Sequence, residues 1–354
     1  MRPVIKALTI YILILLAPLA WAEDKPEATA EENSESPWFI VPLISSDPKI
    51  STAAGVLAGY VRQFDEESPP SLFGITGTYS TTDSYYYGVF AKTHFLGDNH
   101  RFNIAAAQGV IHNDYDDFLG SGLPVQTTDD LTLYALRYSY QVYGHWYLGP
   151  QFLSTNYAIS GGDALSGEII EAIGLTGFKS NGLGLYLQYD TRDNQYSATS
   201  GQVFEINNLA YREALGGEVS FDAYMADYQY YLPHGNDNVL ALHLKGRWTN
   251  DAPPSGYSSV DLRGYTRGQY LAPHMTLVEA DERYSITEKW WAAAFVGVAA
   301  LYGDDTSDGK ESLYPAAGIG GFYLLNESEM VVRADLAFGK SGDLSFYLQF
   351  GQPF

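Results

Sequence analysis

Cysteine is absent from the 354 residues, and with it go disulfide staples, thiolate metal sites and cysteine nucleophiles. Positive charge is scarce. Twenty Lys and Arg stand against 42 Asp and Glu, for a formal net charge of −22. That balance excludes a nucleic-acid binder, which needs a basic footprint, and disfavours adhesion to anionic lipid. Long apolar runs are missing beyond residue 20, so the chain does not read as a helical membrane protein. The seven histidines form no HExxH or other spaced metal pair. Two acidic stretches, 113–117 and 303–309, suggest calcium, but the second has Pro315 where a calcium loop closes with Glu. No metal, no cofactor and no enzyme active site is expected, because no catalytic cluster converges in the sequence.

What is present is tyrosine, 29 residues of it, with 35 glycines and a 46% hydrophobic content too high for a disordered chain. Met1 to Ala22 reads as an export signal. Arg2 and Lys6 precede the apolar run from Ala7 to Ala20, and Ala20-Trp21-Ala22 fits a cleavage site. The run is shorter than the ~20 residues a spanning helix needs. Residues 23–37 are acidic and polar, as in a disordered periplasmic linker. Residues 38–354 are left as one folded domain.

Almost everywhere in 38–354 the hydrophobic period is two. In 131–143, Tyr134, Leu136, Tyr138, Tyr140 and Val142 share one face, and Arg137, Ser139 and Gln141 the other. In 330–339, Val332, Ala334, Leu336 and Phe338 oppose Arg333 and Asp335, and in 345–354, Phe346, Leu348, Phe350 and Phe354 oppose Tyr347, Gln349 and Gly351. Strict alternation over such lengths means long strands with one apolar face. Soluble sandwiches use shorter strands, about 5–6 residues. These lengths suit tilted transmembrane strands of about 9–11 residues with some overhang.

Sixteen such segments can be counted, the even number that a single-chain bacterial barrel requires. The long connections 112–130, 161–179, 251–274 and 303–312 fall on one side. The short ones 143–145, 233–237, 287–289 and 326–329 fall on the other. Long outside and short inside is the barrel asymmetry. Trp38, Trp146, Trp290 and Trp291 lie at expected periplasmic strand ends, where an interfacial girdle belongs. The expected fold is all-β: a 16-stranded antiparallel transmembrane β-barrel in the bacterial outer membrane, bathed in lipid and lipopolysaccharide.

The connection 251–274 contains Leu262-Arg263-Gly264-Tyr265. A loop this long is usually functional or folded onto something. If it turns into the lumen, Arg263 needs inward carboxylates. Candidates are Glu279 and Asp281, on the polar face of one strand with Arg283, and Asp335, on another with Arg333. Small residues Ala293, Gly297 and Ala299 leave room for it.

These residues resemble the BamA/TamA surface-antigen superfamily. Residues 262–265 match its [VL]-R-G-[FY] loop motif. The stretch 189–201, YDTRDNQYSATSG, is similar to its Y-D-x-R-D…P-T-x-G segment, with Ala198 in place of proline. Residues 280–286 and the closing strands from Ala317 also match. The resemblance implies that the loop folds into the lumen and that Phe350 and Phe354 belong to a C-terminal sorting signal. It also implies a role in assembly or translocation of proteins or lipids. Two departures stand out. The family often has an acid in the thirteenth strand, where this chain has Gly297, and an arginine in the fourteenth, near Phe322. The family's periplasmic POTRA modules have no room between Ala22 and Trp38, so a separate periplasmic partner is expected to deliver substrates. A passive, cation-favouring pore is the alternative, with inward acids selecting for cations.

Overall fold

A computed structural model describes residues 36–47, 51–115, 118–120, 123–303, 312–325, 330–340 and 344–354. The export signal, most of the linker and the acidic stretch from 304 onward lie outside the described residues. The remainder forms one closed antiparallel barrel of sixteen strands. They are β1 Trp38–Asp47, β2 Ser51–Arg62, β3 Ser71–Ser80, β4 Tyr85–Phe95, β5 His100–Tyr115, β6 Val125–Tyr143, β7 Trp146–Gly161 and β8 Gly177–Asp190. They continue as β9 Gly201–Tyr211, β10 Phe221–His234, β11 Asn238–Asn250, β12 His274–Ser285, β13 Trp290–Tyr302, β14 Ser312–Leu324, β15 Val331–Phe338 and β16 Leu344–Phe350. Each pairs with its sequence neighbour, and β1 closes on β16.

Alternation sets the two faces. On β12, Met275, Leu277, Glu279, Asp281 and Arg283 are buried in the lumen, while Val278 and Tyr284 are exposed on the outer face. Outward residues such as Ile40, Ile75, Tyr134, Leu185 and Ile319 stay uncovered, which is the outer band of a membrane barrel rather than a packed core. Two expectations are corrected. The connection expected over 112–130 is mostly ladder, because β5 and β6 pair from Tyr115↔Val125 inward. Here Asn113 Nδ2 donates to Thr127 Oγ1 and to Asp129 Oδ2, both at 2.7 Å, and polar pairs extend the strands past the apolar band. The connection expected over 161–179 carries helix α1, Ala164–Ala172, capped by Asp163 Oδ1 accepting from the Ser166 amide. Trp291 is a third correction. Adjacent residues on a strand face opposite ways, so Trp290 is exposed outside while Trp291 stacks inward on Phe322 at 5.4 Å.

The chain end is a fourth. β16 stops at Phe350, and Gly351 takes a φ of 89°, a conformation an L side chain resists. Phe354 therefore leaves the outward stripe and stacks on the inward His243 at 4.6 Å. Gln352 Oε1 accepts from Arg333 Nη1 at 2.9 Å. The buried arginines below supply the polar and cation–π contacts that draw this segment inward.

Candidate functional site

The connection between β11 and β12 enters the lumen. Its base is held by Arg247 of β11, whose Nη1 donates to Ser258 Oγ (3.0 Å) and Nη2 to Gly256 O (3.1 Å). A short ladder, Ser258↔Ala272 and Ser259↔Leu271, narrows it. Its tip is packed by an apolar cluster in which Val260, Leu262, Tyr265 and Tyr270 meet Met275, Leu277, Ala299 and Ala316 of the wall. Burying such side chains stabilises by roughly 1.5–3 kcal/mol each, so apolar burial does most of the docking and the charged contacts set the register.

Arg263 is the charged contact. Its guanidinium carbon lies over the Phe295 ring, 3.5 Å from the centroid, and the group donates to Glu279. Nη2 also reaches Asp281 and Nη1 reaches Asp335, both at 3.1 Å. Asp281 and Asp335 are shared with Arg333, at 2.8 and 2.9 Å. All five charges are nine-tenths buried or more. Burial alone would lower the basicity of Arg263, but the three carboxylates raise it above the usual guanidinium value, so it stays charged. A planar fork that bridges three acids on two strands is arginine chemistry that lysine does not reproduce.

The neighbouring residues fix the approach. Gly264 has a φ of 91°, and a Cβ there would meet the Phe338 carbonyl carbon at 2.9 Å. Its amide donates to Tyr347 Oη of β16 at 3.4 Å. Tyr265 Oη donates to Pro315 O of β14 at 2.6 Å and accepts from the Lys340 amide at 2.8 Å. Burial pushes the Tyr265 phenol up to about 12. The loop thus touches every strand from β12 to β16.

Arg283 does not join this set. It is buried one rung nearer the periplasm with no Asp or Glu side chain in ion-pair range among the described residues; its Nη2 donates to Phe354 O at 3.5 Å, and it packs on the rings of Tyr231 (5.5 Å) and Phe354 (5.6 Å). The two family departures resolve in the register. Gly297 stands directly opposite Glu279, and Phe322 directly opposite Arg333. The expected acid and the expected arginine are both present, each one strand over on the same rung. A Cβ at Gly297 would sit 3.0 Å from Leu262 Cδ1, so the vacated position is filled by the loop's leucine. A second polar network was missed by sequence reasoning. Arg101 bonds Asp98, Gln188 and Asp190, and Asp190 also holds Arg192. Asp190 and Arg192 stood in a quoted motif, but no local signal tied them to Arg101.

Two kinds of comparison place this chain among known proteins. A family model described as the Omp85 superfamily domain matches residues 71–354. Among solved structures, the chain is similar to BamA from Haemophilus ducreyi lacking POTRA domains 1–3. Identity is 12% and the TM-score 0.55, over 90% of this chain and 70% of that one. It is similar to CdiB from Acinetobacter baumannii, at 13% identity and a TM-score of 0.61, over 89% of this chain and 60% of that one. It is similar to CdiB from Escherichia coli, at 10% identity and a TM-score of 0.62, over 89% and 62%. The chain thus spans less than two thirds of either CdiB chain, and at these identities the likeness speaks for the fold. No curated protein matches the chain.

Proposed function

The chain belongs to the Omp85 superfamily, and from that premise we propose that it aids assembly or translocation of proteins or lipids at the bacterial outer membrane. The observation that carries this reading is the coupling of a locked loop to a short seam. Among the described residues β1 and β2 share ten rungs, from Trp38↔Tyr60 to Asp47↔Ser51, but β1 and β16 share three. The seam stops at Ile44↔Leu348. Two rungs further the register would bring in Pro42, which has no N–H to donate. Below that point Phe39 and Phe350 stack at 4.9 Å in place of ladder bonds. Tyr347, which accepts from the loop amide of Gly264, is itself one of the three seam residues on β16. Release of the loop therefore loosens a strand that is already weakly paired. A periplasmic partner delivering the cargo belongs to the same proposal.

The pore reading has less support. The inward acids of β12 and β15 are all engaged by Arg263 and Arg333, and the loop packs into the lumen at that wall. The test uses a chain free of native thiols. Ser46→Cys with Phe346→Cys places one engineered pair on a seam rung. In a deletion strain, the reduced pair should restore the outer-membrane protein and lipid profile, and the oxidised pair should not. If the deletion leaves both profiles unchanged, or the locked seam restores them fully, the reading fails.

A further inference from the structure

Away from the loop, the barrel wall from β4 to β9 encloses a second site. Lys92 and His94 of β4, Arg101 of β5, Arg137 of β6 and Arg192 of the turn after β8 line a cavity of about 230 Å³, with Glu205 of β9 facing them. In a chain of net charge −22, one lysine and three arginines around one small cavity are a concentration that calls for an anion. The carboxylates at hand do not suffice. Asp98 is taken by Arg101 at 2.6 Å and by His94 at 2.7 Å. Asp190 is shared by Arg101 at 3.0 Å and Arg192 at 2.9 Å. Glu205 accepts from Tyr186 Oη and Gln188 Nε2 and stands 4.0 Å from Arg137. Four cations face three carboxylates, and the cation left over is Lys92. Its Nζ forms no ion pair and no hydrogen bond among the described residues, and lies 5.2 Å from the Tyr196 ring.

A second, independent observation is an orphaned ring nitrogen. His94 is 1% exposed, its Nδ1 lies against Asp98, and its Nε2 is buried with no partner. A buried polar atom without a partner costs about 1–3 kcal/mol, and this one belongs to a residue lining the cavity. Access is from the periplasmic side. A vestibule of about 610 Å³ among the turns 63–70 and 191–200 shares Arg101, Arg192 and Gln195 with the cavity.

The geometry points to a binding site for a phosphate group, entered from the periplasm, with Lys92 and Arg137 as its principal contacts and with His94, protonated between Asp98 and the anion, donating from Nε2 behind them. A phosphate monoester carries about −1.5 to −2 charge and three acceptor oxygens. It neutralises the surplus cation and accepts from the guanidinium and ammonium donors left over. The site stands apart from the loop, and its occupancy is independent of what the barrel assembles.

The test uses the full chain in detergent, titrated with inorganic phosphate and, separately, with mixed micelles containing phosphatidic acid, both followed by 31P line broadening. Wild type is expected to bind at least one probe. Binding of inorganic phosphate assigns a soluble ligand, and binding of the micelles alone assigns a lipid headgroup. Lys92→Gln removes a cation without orphaning a carboxylate. It should weaken binding about tenfold, the loss of one charge-assisted hydrogen bond. Arg137→Gln should act the same way, and Arg212→Gln, in an extracellular loop, should not. Heat-modifiable gel migration checks that each variant is folded. The inference is overturned if neither probe binds or if folded Lys92→Gln binds as wild type does. It also fails if chloride competes mole for mole, or if an Asp/Glu-rich peptide binds where phosphate does not.

Discussion

The two polar walls of the lumen are built from the same material and end differently. On β12 and β15, two arginines meet three carboxylates, and an extracellular loop closes over them with an apolar plug. On β4 to β9, three arginines also meet three carboxylates, but there the periplasmic turn 191–200 brings Arg192 without an apolar plug over the charges among the described residues, and a cavity stays open toward the periplasm. Inward alternation supplies charges to both walls. What decides between a lock and a chamber is whether the element that brings the extra guanidinium also covers the charges with apolar surface. A buried ion pair is weak evidence for stability, because desolvation offsets most of its attraction. The locked wall gains from the apolar cluster beside it.

The comparison can be broken most severely at Asp281. It is 0% exposed and shared by Arg263 and Arg333. Asp281→Ala should destabilise the barrel by about 3–5 kcal/mol, since it strands buried guanidinium groups. Urea unfolding in detergent measures this, and a loss near zero would mean the wall is hydrated and the lock illusory. Next comes the rung exchange. Arg333→Phe alone should cost several kcal/mol. Adding Phe322→Arg returns the cation to the same rung and should recover part of that loss, a coupling of about 0.5–3 kcal/mol. Strict additivity would show that position on the rung is immaterial.

The open wall can be tested by pH at Asp98, in the periplasmic turn between β4 and β5. Burial would raise its carboxyl, but His94 and Arg101 hold it at about 2. A folded value below the unfolded ~3.9 gives stability that is full above pH 4 and lost as pH falls through about 2. Wild type should therefore lose its advantage over Asp98→Asn across that window, in urea unfolding at stepped pH. A constant difference would contradict it. The smallest effect is expected four residues from the lock. Arg267 is 80% exposed and pairs with Asp261 at 2.7 Å, and Arg267→Ala should change stability by less than about 1 kcal/mol.

How much could be read from the sequence also differs between the walls. Period two over long segments made all sixteen strands legible, because a lipid-facing stripe leaves no freedom in its spacing. The partners Glu279, Asp281 and Asp335 were legible because each sits in mid-strand on a polar face, near a loop with one recognisable arginine. Arg283 shares that face, but one rung was enough to remove it from the lock. The chamber was illegible: Arg101 and Asp190 are 89 residues apart, and only closure of the barrel makes them neighbours. Trp291 and Phe354 were misplaced for local reasons. One is the residue beside an outward Trp290. The other follows Gly351, whose positive φ ends the alternation.

The central claim is that Arg263 locks the loop into the lumen, and conductance across a planar bilayer tests it most directly. Wild type should conduct little, while Arg263→Ala, inserted as a folded barrel of the same heat-modifiable mobility, should open to frequent, larger current steps. Identical conductance, with unfolding also unchanged, would contradict the lock and leave the loop as packing alone.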